Sequence, residues 1–168
     1  MKHLGEGRLE GTKDNHINYY LGIAYKALGD HEKAKQHFIT ASKGTDDPAG
    51  MMFYYDQPAD MILYQGLALK ELGMTVPEHS RYQKLISYGE AHIYDVIKMD
   101  YFAVSYPDLA VFDSDFTKQN EAHCYYLMGL GNIGLGNREK AKMFLEKTLK
   151  CDPQHQKAML YHRGLDEV

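Results

Sequence analysis

Apolar residues recur along this chain at intervals of three and four, the spacing that places them on one stripe of an α-helix. In NYYLGIAYKALGDHEKAKQHFITASKGTDDP, which opens at Asn18, the residues Leu21, Gly22, Tyr25 and Leu28 share a stripe. Ala34, Phe38 and Ala41 form a second stripe beyond Gly29. The pattern predicts two antiparallel helices. Small residues at Gly22 and Ala34 let them approach closely, and Tyr25 and Phe38 fill the space alongside. Gly29 supplies the positive φ that ends a helix at low steric cost. Asp30 is placed to cap the helix that follows.

The scheme returns in YYLMGLGNIGLGNREKAKMFLEKTLKCDP, which opens at Tyr125 and carries Gly129, Leu135, Gly136, Ala141 and Leu145. In both segments two glycines stand seven residues apart, and ADMILYQGLALKELG repeats that gap with Gly66 and Gly73. This middle segment predicts a first helix over residues 59–72, with Pro58 in its opening turn. A longer second helix is expected over 78–99, with Tyr82, Leu85, Ile86, Ile93 and Ile97 on one face. HQKAMLYHRGL, from His155, predicts a terminal helix that covers the last hairpin. A hairpin of this kind cannot bury its faces alone and must stack on a copy. The expectation is one all-α domain over 1–168, a right-handed solenoid of antiparallel hairpins. It divides into a repeat at 15–48, an irregular repeat at 59–99, an insertion at 100–120, a repeat at 121–153 and a terminal helix at 155–164.

LGIAYKALGDHEKAKQHF (residues 21–38) and MGLGNIGLGNREKAKMFL (residues 128–145), followed by Pro48 and Pro153, resemble the tetratricopeptide repeat (TPR) family. Asn132 departs from it where an aromatic is usual, and Thr148 where an alanine is. Gly22 and Gly66 lie 44 residues apart, and Gly66 and Gly129 lie 63 apart. The repeat length of such hairpins is about 34. The larger surplus contains DYFAVSYPDLAVFDSDF, residues 100–116, and insertions between repeats often land on a binding face. The phrases DNHINYYLG, FYYDQPADMILYQGLALKELG, KLISYGEAHIYD, DYFAVSYPDLAVFDSD and EAHCYYLMGLGNIGLG also resemble the C-terminal TPR region of large bacterial proteins that carry an uncharacterised domain ahead of the repeats. That resemblance implies a module of a multidomain protein with a loose link to carbohydrate metabolism. Residues 1–14 are short and glycine-rich for a cap, which fits a piece of a longer chain.

The family resemblance implies a concave inner face lined by the first helix of each hairpin. Helical spacing puts His16, Tyr19, Tyr20, Ile23 and Lys26 there in the first unit. Asp60, Leu63, Tyr64, Leu67 and Lys70 follow in the second, and His123, Tyr126, Leu127, Leu130 and Ile133 in the third. TPR domains that clamp a carboxylate use several cations, and only Lys26 and Lys70 are available here. The aromatic and aliphatic stripe better suits an apolar peptide, a helix or a stacked sugar ring. His16, Asp60 and His123 take equivalent places near three helix starts. Two histidines and a carboxylate are the donor set of a facial-triad metal site, a polar rim or plain helix-start chemistry, and helix spacing of about 10 Å favours the latter two. In the insertion, Tyr101, Phe102, Tyr106 and Phe112 lie beside Asp108, Asp113 and Asp115. Carboxylates among aromatics suit glycoside chemistry, and equally a packed wall of the groove with Asp113 or Asp115 capping a short helix through FTKQNEAH.

Composition narrows the function classes. The net charge is −4, without the basic face of a nucleic-acid binder. No run reaches the roughly twenty apolar residues of a membrane span. Two cysteines, 27 residues apart and without a CxxC, fit a reducing cytoplasm. GLGNIGLG has the glycine content of a phosphate loop but sits in a helical repeat with no strand before it. Fourteen tyrosines and no tryptophan suit helix interfaces and wet grooves. The reading is a non-catalytic binding or scaffolding module with no cofactor, whose partner is a protein, a peptide or upstream domains of the same polypeptide. The alternative is an accessory module of a carbohydrate-related enzyme, and association through repeat ends is a further expectation.

Overall fold

A computed structural model of the protein describes residues 14–50, 57–97 and 116–166. Every regular element among them is an α-helix, in the order α1 (Asn15–Ala27), α2 (His31–Ala41), α3 (Met61–Glu71), α4 (Thr75–His92), α5 (Phe116–Gly134), α6 (Arg138–Cys151) and α7 (Gln156–Asp166). The turns inside the three hairpins share one device. Gly29, Gly73 and Gly136 all take positive φ, at 80°, 72° and 74°. Asp30 caps α2 by accepting from the Lys33 N–H at 3.1 Å.

Each hairpin also closes on the same register. A glycine on the first helix meets a large side chain sixteen positions later on the second: Gly22 on Phe38, Gly66 on Tyr82, Gly129 on Leu145. A Cβ on Gly22 would fall 2.4 Å from the Phe38 ring, and one on Gly66 2.2 Å from the Tyr82 ring. The middle hairpin therefore keeps the register of its neighbours, and the extra length lies in the connections. α1 packs on α3 and α3 on α5, so the first helices are neighbours, while α2 and α4 each pack on the first helix of the next hairpin. The result is an all-α helical solenoid. Its main core runs from α3 to α7 through Ile62, Leu63, Tyr82, Leu85, Leu127, Leu130 and Leu145, and a smaller one joins Ala34, Phe38 and Ala41 to Ala68.

GLGNIGLG is a packing device. Gly131 admits Ile86, and Gly134 presses on the Tyr82 ring, where a Cβ would lie 2.2 Å from Cδ1. The departures at Asn132 and Thr148 are buried but satisfied: Asn132 donates to the Met128 carbonyl at 2.8 Å, and Thr148 to that of Phe144 at 3.0 Å.

Several boundaries differ from expectation. α4 starts at Thr75 rather than at 78, because Pro77 falls in the first turn, where an N–H would have no helical partner. It stops at His92, short of 99. There Asn120 of α5 donates to the His92 carbonyl at 2.8 Å, and Ile93 turns inward beside Cys124 and Met128. The FTKQNEAH segment is no separate short helix but the opening turns of α5. Leu21 and Leu28, expected on the packed stripe of α1, are exposed, because α2 meets the Gly22–Tyr25 side instead. The α2–α3 connection is held from both sides. Asn15 donates to the carbonyls of Ala41 and Lys43, both at 2.7 Å, and Gln57 and Gln65 donate to that of Thr45. Arg81 and Lys84 of α4 form ion pairs with Asp46.

Candidate functional site

The inner side of the solenoid is built around Tyr64, which α3 projects between α1 and α7. The rings of His16, Tyr19 and Tyr20 from α1 surround it, with centroids 5.8, 6.1 and 5.9 Å away. From α7, the Tyr161 hydroxyl lies 2.7 Å from the Tyr64 hydroxyl. Burial pushes the Tyr64 phenol up to about 12 and raises those of Tyr126 and Tyr161 further. All three therefore stay neutral at ordinary pH and keep their donor protons.

α7 does more than cover the last hairpin. Four residues before Tyr161, Lys157 forms an ion pair with Asp60, which lies four residues before Tyr64. Two helix faces thus meet through matched i, i+4 pairs. Asp60, 6% exposed, also accepts from the Tyr126 hydroxyl at 3.4 Å. A buried carboxylate with two donors is compensated, and loss of Lys157 would leave it short of charge. Tyr126 lies under α7, 3% exposed, with the His155 ring 4.5 Å and the Tyr161 ring 6.4 Å away. His155 caps α7, its Nδ1 accepting from the Ala158 N–H at 3.1 Å. That bond needs a neutral ring, and burial lowers the His155 pKa accordingly.

The residues singled out in the sequence do not all come together. His16, Tyr19, Tyr20 and Tyr64 come together, and of these Tyr20 is the open one, 57% exposed. Asp60 and Tyr126 are close by but covered by α7, and Leu63, Leu127 and Leu130 are core residues. Lys26 is tied to Glu71 at 2.6 Å, while Lys70 is exposed. The three helix-start residues do not converge. His16 Nδ1 lies 3.2 Å from the Met61 sulfur, Asp60 holds Lys157, and His123 Nε2 donates to the Ala49 carbonyl at 3.0 Å. Burial keeps His123 neutral by lowering its pKa. Among the described residues no three His, Cys, Asp or Glu side chains are grouped to hold a metal ion. Tyr101, Phe102, Tyr106 and Asp113, with Asp108, Phe112 and Asp115, lie outside the described residues.

Lys157 and Tyr161 were not among the residues expected at this site. Their signal was the i, i+4 spacing shared with Asp60 and Tyr64, which becomes visible only once α7 is known to reach α3.

Comparison with known families agrees with this architecture. Family models described as tetratricopeptide repeat match residues 18–40 and 122–155. These stretches fall in the first and last hairpins, and the middle hairpin shares their glycine register. Repeats of this kind generally mediate protein–protein interaction. With three hairpins in one register and two of them matched, the chain carries tetratricopeptide repeats.

Proposed function

We propose that this chain is a non-catalytic binding module that takes a helical or extended peptide of a partner protein, or of the same polypeptide, on the Tyr-lined inner face between α1 and α7. The observation that carries the reading is Tyr20: its ring stands 57% exposed beside Tyr64, next to a surface that already holds a helix. α7 supports the mode as well as the place, since its contacts with the inner face include the Lys157–Asp60 ion pair, the Tyr161–Tyr64 phenol pair and the buried Ala158. Aromatic anchors with a polar tip are the side chains that dominate such contacts. The free cysteines suit a reducing compartment, and we place the module in the cytoplasm. Among the described residues no helix is long and apolar enough to cross a membrane.

The test uses peptides selected from a random displayed library against the folded chain. Tyr20→Ala should weaken them by about tenfold or more, the loss of a hot-spot ring. Ile39→Ala, on the outer side of α2, should leave them unchanged. Peptides indifferent to Tyr20→Ala would place the binding surface elsewhere. The same exposed ring supports a second reading, a sugar ring stacked on Tyr20 in a carbohydrate-related parent protein. Oligosaccharides that bind the wild type and not Tyr20→Ala, with no peptide selected, would favour it.

A further inference from the structure

The outward half of α1 is apolar throughout. Ile17, Tyr20, Leu21, Ala24, Ala27 and the C-cap Leu28 are exposed, and the one exposed charge on the helix, Lys26, is drawn aside to Glu71. The repeat register says what such a face is for. Ile17, Leu21 and Ala24 correspond to Met61, Gln65 and Ala68 on α3, and to Cys124, Met128 and Gly131 on α5. Every one of those six is buried. On α5 the cover is α4: Gly89 sits on Cys124 and Met128, and Ile86 on Gly131. On α3 it is α2, whose Ala34, Phe38 and Ala41 cluster with Ala68. On α1 the same positions form a helix–helix interface that no helix among the described residues covers.

We propose that this face of α1 pairs with the same face of a second copy of the chain, giving a closed two-fold dimer. Charge decides among the occupants. A two-fold axis sets each residue against itself or its near neighbours, and a face without charge meets no repulsion there. The opposite edge of the molecule does not match it. α7 turns Gln156, Leu160 and Arg163 outward, while the Lys157 ammonium is held by Asp60. Head-to-tail stacking would press Arg163 against a stripe that offers it no carboxylate. Residues 1–13 contain Met1, Leu4 and Leu9 as their large apolar residues, among three glycines, and lack a stripe to match six apolar positions. Ala24 and Ala27 give two helices room to approach, and Leu21 lies near the middle of the face.

The test is the mass of the full chain in solution, by light scattering or sedimentation. From about 1 to about 200 µM it should rise from one chain to two, as for a dissociation constant on the order of micromolar. Leu21→Glu and Leu21→Lys, both at an exposed position, should each keep the chain monomeric, weakening association about a hundredfold by like charges across the axis. Mixed one to one, the two variants should pair again. Circular dichroism unchanged from wild type checks that both fold. Tyr20 is left intact because it borders the inner groove, so peptide capture there and pairing here can fail separately. A wild-type chain that stays monomeric overturns the proposal and leaves the face to another part of this chain or to a different protein. So does a dimer indifferent to both variants, or an open polymer that signals head-to-tail contact.

Discussion

The two edges of the solenoid solve the same problem differently. α7 is mostly one-sided: Ala158, Tyr161 and Leu165 turn to the core, while Gln156, Arg163 and a single large apolar residue, Leu160, meet water. α1 is apolar on two sides. Gly22, Ile23 and Tyr25 pack on α2 and α3, yet Ile17, Leu21 and Leu28 stand exposed. An edge helix needs a polar outer face, and a helix apolar all round is built for burial. By composition α7 is an edge and α1 is an interior helix.

Putting one substitution at each edge gives the largest expected contrast. Ala158 is fully buried, so Ala158→Arg forces a charge into the α7 contact and should cost about 3 kcal/mol or more, or detach α7 and uncover Tyr126. Leu28 is 80% exposed, so Leu28→Arg should change stability by less than about 0.5 kcal/mol. Urea unfolding of both variants at low protein concentration measures the difference. Equal losses would mean that α1 is covered after all.

Glycine contacts sharpen the comparison at the next level. Tyr82 is fully buried and both Gly66 and Gly134 press on its Cδ1–Cε1 edge, so Gly66→Ala leaves the ring little room to shift and should cost about 3 kcal/mol. Phe38, near the α1 edge, borders a cleft of about 240 Å³ lined also by Ala34, Lys35 and Leu72. Its ring has room to give way, so Gly22→Ala should cost nearer 1 kcal/mol, offset in part by the better helix propensity of alanine. A reversed order would show the terminal hairpin to be the more tightly packed.

The hairpins were legible because two glycines stand seven residues apart in each, and that relation is local. Gly66 and Gly73 carry it as plainly as Gly22 and Gly29. Pro77 hid the start of α4, since a proline reads as a breaker until it is known to occupy a first turn. The exposure of Leu21 and Leu28 was not legible, because periodicity groups residues into stripes without saying which stripe finds a partner. The inner cluster was half legible. Tyr20 and Tyr64 follow from repeat spacing, whereas the contact from Tyr161 to Tyr64 spans 97 residues and depends on how far α7 leans across the array. Tyr101, Phe102, Tyr106 and Asp113 lie in the aromatic, acidic stretch outside the described residues, and their place at the groove wall stays a proposal.

The smallest expected effect concerns how the two edge helices begin. The N-cap residue of α1, Asp14, makes no side-chain cap bond. α7 is capped by a titratable group, His155, which accepts from the Ala158 N–H. Burial holds the His155 pKa below its ordinary 6.5, with the Lys157 charge acting the same way and Asp152 and Asp60 opposing it. His123, also lowered by burial, lies within its electrostatic reach. A lowered histidine pKa means that the unfolded chain takes up protons first. The stabilisation is therefore complete above about 6.5 and is lost as pH falls from there towards the folded value. Melting temperature should fall between about pH 7 and pH 5, by a few degrees for the roughly 1 kcal/mol of one helix cap. His155→Asn keeps an acceptor at the cap and removes the titration, so it should flatten that fall while leaving the melt near pH 7 little changed. If the slope persists in His155→Asn and disappears in His123→Gln, the proton goes to the ring on the Ala49 carbonyl and not to the cap of α7.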